Sequence, residues 1–131
     1  GKPLAILLPS VLFGLAHIPA MESFTIGGVV LLAVSGTLVG VMFSLAAYRG
    51  NSVSNSALMH SVWNFVMVTS ILHITTAQGA YGKPFIQIVI PSDNILLTGA
   101  CFGAEASLVA IIGYLLVCVA VILLKKDTAT G

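Results

Sequence analysis

Two of the chain's three histidines stand at helical spacing from a second informative side chain. Phe13 precedes His17 by four residues in FGLAH, and His60 precedes Asn64 by four in HSVWN. On an α-helix each partner lies one turn away on the same face. An imidazole transfers protons near neutral pH, binds a metal, or donates a hydrogen bond to a developing oxyanion. An asparagine amide does only the last of these well. His60 and Asn64 therefore present two donors on one helix face, a clamp suited to the oxyanion of acyl transfer, and His17 on another helix is suited to polarising water or a metal. Ser61, next to His60, points about 100° away around the helix, which argues against a serine–histidine pair.

Other chemistries lack their signatures. There is no HExxH, no glycine-rich phosphate loop and no nucleophile elbow. The acidic residues are Glu22, Asp93, Glu105 and Asp127, all outside the apolar runs, so no intramembrane general base is visible. Glu105 precedes an apolar helix and is read as a solvated residue favouring its positive N-terminal end.

The elements that must position these groups are apolar. The 131 residues are 58% hydrophobic and 7% charged, with a mean hydropathy of +1.10, a composition that a soluble domain of this size could not keep dispersed. A net charge of +1 without a basic cluster leaves nothing to neutralise a run of phosphates, which excludes nucleic acid as the natural partner. Membrane lipid is the surrounding medium. Uncharged runs cover Pro3 to Met21, Phe24 to Tyr48, Gly50 to Gly82 (histidines aside) and Ala106 to Leu124, each able to supply the roughly 20 residues that cross a bilayer. The expected fold is an all-α membrane protein, a bundle of about four transmembrane helices forming one membrane-embedded domain over residues 1–131.

The first helix contains Pro9, is followed by Pro19, and is expected to end near His17 or Ile18. In the second, Gly36 and Gly40 form a small-xxx-small pattern that permits close helix contact. The third is expected to start within Ser52 to Ser56 and to run to about Thr76. A mixed loop then reaches Glu105, with a short strand possible over Phe85 to Ile90. The fourth covers Ala106 to Leu124 and stops at Lys125 and Lys126. Cys118 deep in a helix and Cys101 in a loop are not expected to form a disulfide. Lys2, Arg49, Lys125 and Lys126 fall on one side and Lys83 on the other, which places both termini and the Arg49 loop in the cytosol. One conflict follows: His17 comes late in the first helix and His60 early in the third, nominally near opposite faces.

Lys2 to His17, then Gly40 to Ser52 and Ala57 to Asn64 together resemble the CPBP family of intramembrane proteases. This group, also called the Abi or CAAX-protease family, includes Rce1-type prenyl endopeptidases and bacteriocin-immunity relatives. The resemblance implies an intramembrane endopeptidase of a bacterial cell membrane, acting on a membrane-associated protein or peptide, with His17 from FxxxH and His60 and Asn64 from HxxxN as site residues. It further implies an EExxxR glutamate that activates water with His17, while His60 and Asn64 stabilise the oxyanion. Because Lys2-Pro3 resembles the segment shortly after EExxxR, the chain is expected to begin just downstream of that glutamate and to be inactive as it stands. Zinc held by His17, His60 and that glutamate is compatible with the donor set; a metal-free centre is the preferred reading.

Blander readings compete. Histidines can hydrogen-bond between helices purely for packing, and His73, without a motif partner, is read that way. Trp63 and Tyr48 are read as packing or interface anchors, and Arg49 as a topology signal. A non-catalytic immunity or scaffold protein is the main functional alternative, and a transporter fragment the second.

Overall fold

The computed structural model describes residues 1–21, 24–67, 71–75, 84–100 and 102–124. It is mostly helical. Helix α1 covers Lys2–Ala16, α2 Ile26–Arg49 and α3 Val53–Met67; strand β1 is Leu72–Thr75 and β2 Ile86–Val89; α4 is Ile95–Thr98 and α5 Leu108–Leu123. Single 3₁₀ turns follow α1, at Ile18–Ala20, and precede α5, at Ala104–Ala106.

Two segments, Pro3–Ala20 and Ile26–Arg49, are long and apolar enough to cross a membrane. Only 11% of the first and 28% of the second is buried within the protein; Leu4, Leu8 and Leu12 of the first and Ile26, Val30 and Val34 of the second face outward, as lipid-exposed helices require and the core helix of a soluble protein does not. Helix α5 is equally apolar but has 16 residues, about 24 Å at 1.5 Å each, short of a hydrocarbon core about 30 Å thick. The expected third span ends early. Helix α3 is described over Val53–Met67, and Leu72–Thr75, expected to continue it, pairs as a strand in parallel with β2, Leu72 opposite Ile86 and Thr75 opposite Val89. The short apolar run Leu-His-Ile-Thr suits a helix end or a strand equally by pattern, and the pairing with β2 decides it. The fold is thus not purely α, and the strand expected over Phe85 to Ile90 is β2. Thr76, Lys83, Cys101, Lys125 and Lys126, on which other expectations rested, lie outside the described residues; Cys118 is a free, buried thiol.

Helices α1 and α2 run antiparallel in the tightest contact of the fold. A Cβ on Gly36 would stand 2.7 Å from Gly14 Cα, and one on Gly40 would stand 2.6 Å from Ser10 Cα, so the two backbones touch where a side chain would hold them apart. Ser10, 1% exposed, donates its hydroxyl proton to the Ile6 carbonyl and so enters the seam without an unpaired polar group. Pro9 sits inside α1 without ending it.

Helix α2 ends in a tight turn in which Asn51 takes a left-handed conformation (φ 52°), Gly50 N–H bonds Ala46 O and Ser52 N–H bonds Ala47 O. Ser52 Oγ then accepts from Ser54 N–H at the start of α3, which runs back along α2. Helix α5 packs Tyr114 and Cys118 against Met42 and Phe43 of α2. It runs parallel to α2, since Arg49 at the end of α2 donates from Nη2 to the Ile122 carbonyl at the end of α5. That contact joins a cation to the negative end of a helix. The N-terminus, the Arg49 turn and the end of α5 therefore share one end of the bundle.

Replacing Gly40 by leucine should force the α1–α2 seam apart and destabilise the fold by about 1–3 kcal/mol. Gly113→Ala, where an added Cβ meets nothing within 4 Å, should be neutral or stabilising by up to ~1 kcal/mol. Thermal unfolding of the two variants in detergent micelles measures both; equal midpoints would show that the seam is loose.

Candidate active site

His17 caps the C-terminus of α1, and its ring folds back over the preceding turn. Nδ1 lies 2.7 Å from the Phe13 carbonyl oxygen, and the two rings stand 4.6 Å apart. A carbonyl only accepts, so Nδ1 carries the proton of the bond, and in the neutral imidazole Nε2 is left with its lone pair. The Phe13–His17 spacing thus has a local physical cause: the residue four back supplies both the carbonyl that sets the tautomer and a ring that fixes the plane.

His60 is held on α3 by aromatic contact. It stacks on Phe43 of α2 at 5.1 Å with an interplanar angle of 29° and meets the edge of Phe13 at 5.7 Å. Phe13 also meets Phe43 edge-on at 6.1 Å. One phenyl ring therefore touches both histidines, and the imidazoles are no further apart than its two contacts combined. The nominal difference in depth is bridged by side-chain direction. Cα–Cβ bonds tilt toward a helix N-terminus, so Phe13 and His17 lean from α1 toward the Arg49 end, while Phe43 leans from α2 the opposite way.

Asn64, one turn beyond His60 and exposed, lines the same cavity as both histidines. This cavity, of about 130 Å³, has Phe13, Phe43 and Phe102 among its walls and the polar groups of His17, Ser35, His60, Asn64, Glu105 and Tyr114 on its lining. At roughly 30 Å³ per water it holds a handful of molecules, so any two of these groups are separated by at most a short water chain. All three residues singled out by spacing are brought together there.

Glu105 corrects its reading as a solvated cap. The cap of α5 is Ser107, whose Oγ accepts from Ala110 N–H at 3.2 Å, and the Glu105 side chain lies partly buried against the cavity. Burial pushes its carboxyl up from the usual carboxylate range, against the opposing pull of a hydrogen bond from its own backbone and of the nearby His73 charge. Tyr114 Oη donates to the Glu105 carbonyl at 2.9 Å. Neither residue carries a motif, and their convergence is tertiary. The one available signal was the rarity of carboxylates in so apolar a chain. His73, read as structural, is buried on β1.

Among the described residues no three His, Cys, Asp or Glu side chains are grouped to hold a metal ion. His17 and His60 offer two donors where a zinc site takes three or four, so the donor set within the described residues does not complete one. Beyond the polar cavity an apolar groove of about 660 Å³ lies between α3 and α5, lined by residues such as Leu58, Val62, Gly113 and Val117. Trp63 and Tyr114, with ring centroids 5.6 Å apart, line both spaces, so Trp63 is a partition as well as a packing residue.

No curated protein and no solved structure matches the chain. The profile of one protein family, described as type II CAAX prenyl endopeptidase Rce1-like, matches residues 1–66, half of the chain and the half that carries His17, His60 and Asn64. With its outward-facing apolar helices and this match, the chain is a membrane protein that belongs to the Rce1-like family of CAAX-type proteases.

Proposed function

We propose that the protein is an intramembrane endopeptidase that hydrolyses a peptide bond of a membrane-associated protein or peptide in the cavity shared by His17, His60 and Asn64. The observation that carries this reading is the bond between His17 Nδ1 and the Phe13 carbonyl. With Nδ1 committed to the Phe13 carbonyl, Nε2 is a lone-pair acceptor, in a cavity sized for a few waters. Membership of a protease family supports it.

In the proposed reaction, His17 Nε2 takes a proton from a cavity water as its oxygen bonds to the scissile carbonyl carbon. A carboxylate of the kind the family resemblance implies would share in that step. The carbonyl π electrons move onto oxygen, and His60 and Asn64, one helical turn apart, donate hydrogen bonds to the oxyanion. The adduct then reforms its carbonyl, the carbon–nitrogen bond breaks, and the leaving nitrogen takes up a proton within the cavity. No metal enters these steps. The Arg49 end of the bundle, which gathers the N-terminus and the end of α5, is proposed to face the cytosol.

His17→Ala and His60→Ala should each lower kcat for peptide cleavage by the full-length protein in liposomes by roughly 10²–10⁴-fold. Asn64→Ala, which removes one oxyanion donor, should lower it by about 10²–10³-fold with little change in KM. Full-rate cleavage in both histidine variants would refute the reading. Phe13→Ala keeps the carbonyl but frees both imidazoles to turn, and should cost roughly 10² in kcat. Adding Phe13→Ala to His17→Ala should cost less than Phe13→Ala alone, the remainder being what His60 loses; fully additive losses would show that Phe13 does not act through His17.

A further inference from the structure

We infer that Glu105 is the group that protonates the leaving nitrogen when the peptide bond breaks, an assignment that rests on the endopeptidase reading above. Glu105 lines the same cavity as His17, His60 and Asn64 but comes from a different part of the fold, the 3₁₀ turn before α5. The water and the leaving nitrogen are different substituents of the tetrahedral carbon. Two acid–base groups on separate elements can serve them separately, where a single imidazole would have to swing between them.

The segment that carries Glu105 is built to hold it. Ala106 N–H bonds Gly103 O and Ser107 N–H bonds Ala104 O, both at 3.0 Å, closing the turn, and Tyr114 Oη fixes the Glu105 carbonyl from one side. Gly103 has φ +122°, which side chains rarely adopt, and a Cβ there would stand 2.8 Å from Glu105 Oε2. The carboxyl thus occupies the space that a side chain at 103 would fill. Phe102, one residue earlier, packs edge-on against His17 at 6.0 Å, so the same short segment touches the proposed base and supplies the proposed acid.

Desolvation favours the protonated carboxyl, the form that can donate. Proton and electron accounting closes. The Glu105 carboxyl gives its proton to nitrogen as the carbon–nitrogen pair leaves with the amine, and the oxyanion electrons reform the carbonyl of the new carboxylic acid. Glu105 is left ionised and His17 protonated, and the proton that His17 took from water returns to Glu105 through the cavity water. The sum is peptide plus water to acid plus amine.

The test compares two substrates of the full-length protein in liposomes: a membrane peptide that it cleaves, and the 4-nitrophenyl ester of the acyl half of that peptide, whose leaving group needs no proton. Glu105→Gln should lower amide hydrolysis by roughly 10²–10⁴-fold while leaving ester hydrolysis within about threefold. His17→Ala should lower both. Amide hydrolysis within about threefold of wild type in Glu105→Gln, or equal losses on both substrates, overturns the assignment of Glu105 while His17→Ala separately upholds the endopeptidase. Full activity of His17→Ala, or a wild type that hydrolyses neither substrate, overturns both. If Glu105→Gln fails to insert or fold, Glu105→Asp, which keeps the acid one methylene shorter, is read in the same way: an amide loss exceeding the ester loss upholds the role, and equal rates or equal losses overturn it.

Discussion

The close approach of α1 to α2 determines where every group of the site can stand. At Gly14 and Gly36 the helices meet backbone to backbone, and one turn along Ser10 meets Gly40 in the same way. Any side chain there would move α1 outward, and with it the carbonyl of Phe13, the ring of Phe13 and the imidazole of His17. Lipid provides no hydrophobic force to press two apolar helices together, so the seam relies on contact between small residues. Side-chain packing then does the rest. Phe13 leans from α1 over Phe43 and against His60, and so transmits the position of α1 to a histidine on α3. A shift at Gly36 would reach both histidines through that one ring.

The two histidine motifs were legible in the sequence because each is a local relation. Residues four apart on a helix share a face whatever surrounds them, and the carbonyl that binds His17 Nδ1 is four residues back for the same reason. A close helix contact was also legible, in Gly36 and Gly40, since small residues at helical spacing serve few other purposes in apolar helices; that α1 is the partner comes from Gly14 and Ser10. Three features were not. The end of the third helix turned on whether Leu72–Thr75 found a strand partner, which hydropathy cannot register. The approach of His17 and His60 to one cavity turned on Phe13 and Phe43 reaching toward each other from antiparallel helices, whereas residue counting places only Cα atoms. Glu105 stands just before an apolar helix, where an acid ordinarily favours the helix dipole in water. Its turn toward the cavity depends on Gly103, Tyr114 and Ser107, of which only Ser107 announces itself locally, as a cap.

Polarity is partitioned in the fold as the proposed chemistry demands. The outer faces of α1, α2 and α5 carry exposed leucine, valine and isoleucine, and the groove between α3 and α5 continues that apolar character inward. Trp63 and Tyr114 close the groove, and behind them two histidines, an asparagine and a carboxyl share a space for a handful of waters. Polar groups placed in hydrocarbon are costly unless they find partners, and here they are gathered around one cavity. A separation of a few ångströms between apolar approach and wet centre would let a membrane-borne chain reach water without water reaching the lipid.

The small size of the wet space also strengthens what its groups can do. Where few waters screen them, hydrogen bonds and charges act at an effective dielectric well below that of bulk water, so the donor pair proposed at His60 and Asn64 would stabilise a developing oxyanion by more than it would at a surface. The same low screening penalises any charge that is present before reaction. The Phe13 carbonyl holds a proton on His17 Nδ1, and burial favours the protonated form of the Glu105 carboxyl, so in the proposed reaction both groups act from fixed positions. That arrangement depends on Phe13 and Tyr114, neither of which ionises in the reaction: one holds the tautomer of the histidine through its carbonyl, and the other holds the backbone of the glutamate through its hydroxyl.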